Sequence, residues 1–145
     1  MKIEYNNLCT HFILTTYQRM PVIPENNRER IEKYITGIVA HHNSKLYAIY
    51  ANPEHVHFII SRSPKISEEE LLTIVANSSE RFINSNKLVA GRFSWQESVS
   101  AFSVSKSDVD GVCKYILKQA EHHKRTTFEE EYQKFVKHYQ SGIKS

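Results

Sequence analysis

The order of the predicted strands and helices is the feature that most constrains how this chain can fold. Apolar residues at three- and four-residue spacing predict a helix over 27–42, and Ser67 with Glu70 forms a capping-box pair that opens a second helix. Four β-type segments surround these helices, at 8–16, 46–51, 55–61 and 101–105. Short strands need helices on one face to bury them. The order therefore favours a ferredoxin-like, RRM-like β-α-β-β-α-β antiparallel sheet of the α+β class.

Two more helices are predicted after the last strand. One covers 108–123 with Ser107 as its N-cap, and a shorter one covers 128–139. Between the second and third strands, Asn52, Pro53 and Glu54 form a turn, because proline cannot continue a paired strand. These two strands are therefore predicted to form a hairpin.

Composition places the chain among globular proteins. Its 145 residues are 40% hydrophobic and 24% charged, which fits one domain over residues 1–145. No apolar run approaches the roughly 20 residues that span a bilayer, and no signal pattern is present, so we expect a cytoplasmic protein without membrane contact. Cys9 and Cys113 match neither a disulfide framework nor a zinc motif.

The segment from His55 to Ile60 carries the first chemical signal. Because side chains on a strand alternate between faces, Val56, Phe58 and Ile60 are expected in the core, and His55 and His57 share the opposite face. Two neutral imidazoles on one rigid face form half of a divalent-metal site. A His-x-His pair on a half-exposed strand also arises by chance, so a plain surface pair stays open.

The late helix carries the second signal. Tyr115 and Gln119 lie four residues apart, so they stack on one flank of its buried stripe, while Lys114 and Lys118 point further out. The predicted stripe consists of Val109, Val112, Cys113, Ile116 and Ala120. A phenol beside an amide at the rim of the core suits phosphoryl transfer. An ordinary amphipathic rim residue is the alternative for Tyr115.

Taken together, these segments resemble the single-tyrosine HUH transposases, the insertion-sequence-200-like family, in which HUH denotes His-hydrophobic-His. The resemblance extends over nearly the whole chain in the right order. The segments that carry it are 53–58, 93–97, 101–105, 115–119, 121–124 and 128–132. Three departures are Glu54 where Asp is usual, Ala76 where Lys is common, and Ser98-Val99 where Gly-Tyr is frequent.

The resemblance implies a specific site and chemistry. Tyr115, on the C-terminal catalytic helix, would be the nucleophile, and His55, His57 and Gln119 would hold Mg²⁺ or Mn²⁺. The enzyme would cut single-stranded DNA at hairpin-bearing element ends and form a 5′-phosphotyrosine link. A homodimer is expected. Its two subunits can exchange their tyrosine helices through a hinge near Lys106.

Candidate DNA contacts are the basic side chains Arg19, Lys114, Lys118, Lys124 and Arg125. A net charge of +3 permits nucleic-acid binding without requiring it, and a solvated helix face is the alternative for the last four residues. Two other functions stay open: a domesticated relative that processes palindromes, and a non-catalytic binder of single-stranded nucleic acid. Relaxases fit less well, because they usually place the tyrosine before the histidines and use a third His.

Overall fold

A four-stranded antiparallel sheet in the order β2-β3-β1-β4 forms the centre of the molecule. The computed structural model describes residues 1–122 and 128–143. The strands are β1 (Cys9–Thr15), β2 (Lys45–Ala51), β3 (His55–Ser61) and β4 (Ser100–Ser103). The helices are α1 (Arg28–His41), α2 (Glu68–Ser85), α3 (Val109–Leu117), α4 (Gln119–His122) and α5 (Phe128–Ile143). The predicted ferredoxin-like order of strands and helices is confirmed.

Helices α1 and α2 cover one face of the sheet. Alternate residues of the two central strands, such as Phe12 on β1 and Phe58 on β3, point into this layer, where their ring centroids lie 5.5 Å apart. The predicted core positions Val56, Phe58 and Ile60 are all fully buried there. The capping prediction for α2 also holds, because the Ser67 side chain accepts a hydrogen bond from the Glu70 backbone N–H at 3.1 Å.

The opposite face of the sheet is covered as well, which differs from the sequence-based expectation of a half-exposed third strand. Helix α3 lies over β2 and β3, and its buried Ile116 packs against a second apolar cluster. The strand residues of that cluster are Cys9, Ala48 and Ile59, with Val104 just beyond β4. As a result, His55 and His57 are 0% and 1% exposed rather than lying on a solvated face.

The late helix was predicted to be continuous over 108–123. In the structure it breaks at Lys118. The backbone of Lys118 has φ −99° and ψ 14°, and its N–H bonds to the carbonyls of Lys114 and Tyr115, as at a helix end. Because the next turn starts with a new orientation, Gln119 points inward and is 0% exposed, whereas Ala120 is exposed. The prediction that Ala120 belongs to the buried stripe was therefore wrong.

The start of this helix also differs from the prediction. A 3₁₀ turn over Lys106–Asp108 precedes α3, so Ser107 lies inside that turn and the N-cap position falls on Asp108. Other boundaries shift by a few residues: α5 extends to Ile143, and β4 begins at Ser100 and ends at Ser103.

Within the described ranges, no helix is both long and apolar enough to cross a membrane. A single domain over 1–145 stays a prediction.

Phe58→Ala should destabilise the protein, because it leaves a cavity between α1, α2 and the sheet that packed neighbours fill only in part. We expect a loss of about 3–5 kcal/mol in the free energy of unfolding. Tyr47→Ala removes an exposed aromatic side chain from the neighbouring strand and should change it by no more than about 0.5 kcal/mol. Denaturant titration measures both, and equal losses in the two variants would contradict the described packing.

Candidate active site

The two histidines of β3 direct their Nε2 atoms toward one carboxylate. Their ring centroids lie 4.8 Å apart. Glu131 on α5 places Oε1 at 2.6 Å from His57 Nε2 and at 3.8 Å from His55 Nε2. Glu131 is itself only 4% exposed, although it follows two exposed glutamates in the first turn of α5. The HUH strand and the last helix therefore share a buried polar centre.

Each histidine also has a partner on its second ring nitrogen. His55 Nδ1 lies 2.8 Å from Glu54 Oε1, and His57 Nδ1 lies 3.0 Å from Nε2 of His11 on β1. His11 is fully buried. These contacts restrain the plane of each ring, because turning the ring would break the hydrogen bond at Nδ1.

Tyr115 lies at the edge of the same centre. Its ring meets the His57 ring edge-on, with centroids 5.9 Å apart, and its hydroxyl lies close to Glu131 and Gln119. Burial, followed by the nearby charge of Glu131, raises the pKa of the Tyr115 phenol well above its ordinary value. Tyr115 is therefore a protonated phenol in this state, partly buried as the helix pattern indicated.

Gln119 joins the centre through Asn52. The Asn52 side-chain amide donates to Gln119 Oε1 at 3.2 Å and lies 3.3 Å from His55 Nε2. Asn52 is 1% exposed, although the sequence indicated only a turn at this position. The amide of Asn52 thus connects the hairpin that carries the histidines to the helix that follows Tyr115.

Sequence reasoning brought His55, His57, Tyr115 and Gln119 to one place, and the structure places all four side chains around this centre. It missed Glu131, Asn52 and His11. Alternation along β1 could have found His11, because Phe12 and Leu14 point into the α1–α2 core and their neighbour must face the other way. Glu131 had no such signal, since it is one of three consecutive glutamates.

Charge compensation explains how Glu131 can be buried. Burial alone would raise the pKa of its carboxyl group, but the contacts with the rings of His55 and His57 outweigh burial and hold the pKa well below the usual range. For His11 the balance differs: burial, then the neighbouring His57 ring, lower the pKa well below its ordinary value. His11 is thus a neutral imidazole beside an ionised carboxylate site.

The donor set fits a divalent cation. One ligand atom from each of His55, His57 and Glu131 lies within 4.8 Å of the others. Two imidazole nitrogens with one carboxylate oxygen leave coordination positions open for phosphate oxygens, unlike a closed structural zinc site. The site can therefore bring a cation, a phosphate and the Tyr115 hydroxyl together.

The basic candidates lie around rather than inside this centre. Lys114 and Lys118 are exposed on α3 and at its end, and Arg19 forms an exposed ion pair with Glu129 of α5. Lys124 and Arg125 lie outside the described residues. Contact of these side chains with DNA stays a prediction.

The departures from the family pattern fall in two places. Glu54 retains the role of a carboxylate beside the first histidine, because it accepts from His55. Ala76, Ser98 and Val99 line one cleft of about 790 Å³ between α2 and the loop that follows Trp95. Four carboxylates also line this cleft: Glu68, Glu69, Glu80 and Glu97.

Comparison with known proteins agrees with this geometry. The family described as "Transposase IS200 like" matches residues 4–119. A solved structure of a protein from Deinococcus radiodurans R1, provisionally named a transposase, has TM-score 0.63 and 20% identity, covering 82% of this chain and 96% of that one. A REP-associated tyrosine transposase bound to a REP hairpin has TM-score 0.61 and 13% identity, covering 85% and 72%. No curated protein matches the chain.

The two structural similarities establish the fold, and the family match extends from residue 4, ahead of β1, to Gln119, the first residue of α4. It includes both histidines and Tyr115. The chain therefore belongs to the IS200-like transposases, a family of DNA-cleaving enzymes.

Proposed function

We propose that this transposase cuts single-stranded DNA with Tyr115 as the nucleophile and a divalent cation held by His55 and His57. One observation carries the proposal: the Tyr115 ring meets the His57 ring edge-on at 5.9 Å, and His57 Nε2 lies 2.6 Å from the buried carboxylate of Glu131. A nucleophile and a cation site are thereby held within reach of one phosphate group. The chemistry follows from these contacts.

In the proposed cleavage step, Tyr115 Oη attacks the phosphorus of the scissile phosphodiester. The Oη–P bond forms and the P–O3′ bond breaks, which leaves a 5′-phosphotyrosine and a free 3′-OH. The phenol proton is released to solvent, and the departing O3′ takes up a proton from solvent. A bound cation would offset the negative charge that develops on the phosphate. Attack by a 3′-OH on the phosphotyrosine reverses the step, so rejoining needs no ATP.

The ligand set is proposed to include His55 and His57 through their Nε2 atoms. The resemblance adds Gln119, and the geometry adds Glu131, whose Oε1 lies 2.6 Å from His57 Nε2. Gln119 Oε1 accepts a hydrogen bond from Asn52, which it would have to share or release to reach a cation. We therefore propose Glu131 as the third protein ligand and keep Gln119 as a fourth. Two nitrogens with oxygen ligands suit Mn²⁺ or Mg²⁺.

The proposed substrate is a single strand with hairpin ends. One structural neighbour was solved with a REP hairpin, which supports a hairpin-bearing ligand for this fold. Arg19, Lys114 and Lys118 would contact the phosphate backbone, together with Lys124 and Arg125. Element ends in the flanking DNA would distinguish a mobile element from a domesticated palindrome-processing relative.

A homodimer is proposed because strand transfer at two ends requires two tyrosines and each chain supplies one. In the described chain, Tyr115 lies beside His57 of the same chain. Exchange of the tyrosine helix between subunits, through the segment around Lys106, stays a prediction.

Mn²⁺ should raise the melting temperature of the wild-type protein, because a ligand that binds only the folded state stabilises it. At about 100 times Kd the gain is about 2.7 kcal/mol, or roughly 5–10 °C for a domain of this size. His57→Ala should abolish the shift, and Glu131→Gln should raise the Kd by about tenfold or more.

The matched control for this titration is His41→Ala, which removes an exposed histidine at the end of α1 and should retain the full shift. Gln119→Ala decides the fourth ligand: a Kd equal to that of the wild type would remove Gln119 from the set. Equal shifts in His57→Ala and the wild type would refute the metal site.

Tyr115→Phe should lower cleavage of a hairpin-bearing oligonucleotide by about a thousandfold or more, because the nucleophile is lost while the ring remains. Binding of the oligonucleotide should change little. Tyr50→Phe is the control, since Tyr50 is a partly buried tyrosine opposite His57 on the neighbouring strand. Denaturing gels for the covalent adduct measure the effect. A Tyr115→Phe variant that still forms an adduct contradicts the assignment. Absence of any adduct in the wild type would favour a non-catalytic binder.

Light scattering at micromolar concentration should give twice the mass of one chain. Mixing Tyr115→Phe with His57→Ala then tests the exchange of helices, because each inactive variant supplies the group that the other lacks. Recovered cleavage indicates a site shared between subunits, and no recovery indicates sites within single chains. A monomeric mass would contradict the proposed dimer.

A further inference from the structure

We propose that His11 is a positioning residue that holds His57 in the Nδ1–H tautomer, so that the lone pair of His57 Nε2 points at the cation. The inference rests on the proposed metal site. It concerns a residue of β1 that lies 46 positions before His57. His11 itself would touch neither the cation nor the DNA.

The placement of His11 is rigid. It lies on the strand next to β3, where Ile13 is directly opposite His57, so His11 and His57 are diagonal neighbours on one face of the sheet. Both side chains are buried, and His11 Nε2 is 3.0 Å from His57 Nδ1. Their ring centroids lie 5.1 Å apart. A contact of this kind leaves little freedom for the ring of His57.

Proton placement makes this contact matter. A neutral imidazole carries one N–H and one lone pair, so a histidine that binds a cation through Nε2 must carry its proton on Nδ1. A buried N–H needs an acceptor, and ligating histidines usually donate their second N–H to a neighbouring group. His11 Nε2 is the atom in place to accept it.

His55 already shows the arrangement that cation binding requires. Its Nδ1 donates to the Glu54 carboxylate at 2.8 Å, and its Nε2 accepts from the Asn52 amide at 3.3 Å. His55 therefore already has the tautomer that binds a cation. In His57, Nε2 lies 2.6 Å from Glu131 Oε1, so this nitrogen also faces the position that the cation would take.

Cation binding requires the same arrangement at His57. Its Nε2 must present a lone pair, so its Nδ1 must carry the proton and donate to a partner. His11 Nε2 fills that role with an imidazole nitrogen, whereas Glu54 fills it for His55 with a carboxylate.

Two substitutions separate this role from simple packing. His11→Leu fills much of the space but can neither donate nor accept. His11→Gln places an amide oxygen and an amide N–H near the position of Nε2, so it can take either role. We expect the Mn²⁺ Kd to rise by about 10–100-fold in His11→Leu and to return to within roughly threefold of the wild type in His11→Gln.

Isothermal titration with Mn²⁺ gives the Kd values, and circular dichroism confirms that each variant is folded. His41→Leu is the control, because it removes an exposed histidine far from the site. Wild-type affinity in a folded His11→Leu protein would overturn the inference. A His11→Gln protein as weak as His11→Leu would also overturn it, since packing alone would then explain the loss.

A measurement on the unmodified protein avoids dependence on any variant. Proton–nitrogen correlation spectra of the Mg²⁺-loaded wild type should show His57 with its proton on Nδ1 and no proton on Nε2. A proton on Nε2 in the loaded protein would refute the inference while leaving cation binding itself intact. Failure of the wild type to bind either cation would refute the metal site and this inference with it.

Discussion

The carboxylate of Glu131 is buried between His55 and His57, and the arrangement of the site depends on how this charge is compensated. An isolated buried carboxylate would be strongly destabilising, so it requires donors around it. The rings of His55 and His57 and the Tyr115 hydroxyl lie close to it. The same contacts bring α3, α5 and β3 to one point. A cation at this point would be a positive partner for Glu131.

Alternation along the central strands lets one sheet serve two layers. On β3, Val56, Phe58 and Ile60 stabilise the layer under α1 and α2, while the residues between them face α3. On β1, Phe12 has the first role and His11 the second. The histidines therefore lie on strands whose other side is fully packed. This packing limits the movement of the histidines from the side of the sheet that faces away from the site.

The fold was largely predictable because apolar spacing reports directly on helix and strand faces. The site was predictable in part. Alternation placed His55 and His57 on a common face, but their burial depends on α3 returning across β2 and β3, which no local pattern encodes. Gln119 moved from the flank to the interior because the helix breaks at Lys118. Glu131 could not be distinguished from Glu129 and Glu130, because the docking of α5 alone decides which of them is buried.

Glu131 also lies beyond the segment 4–119 that matches the family. A gene copy interrupted between these two points would retain the whole sheet, both histidines, Tyr115 and Gln119, and would pass as complete by family comparison. It would nevertheless lack the only carboxylate that reaches both histidines among the residues described. Intact and decayed copies of such an element are therefore best told apart by the reading frame through α5, rather than by the HUH motif.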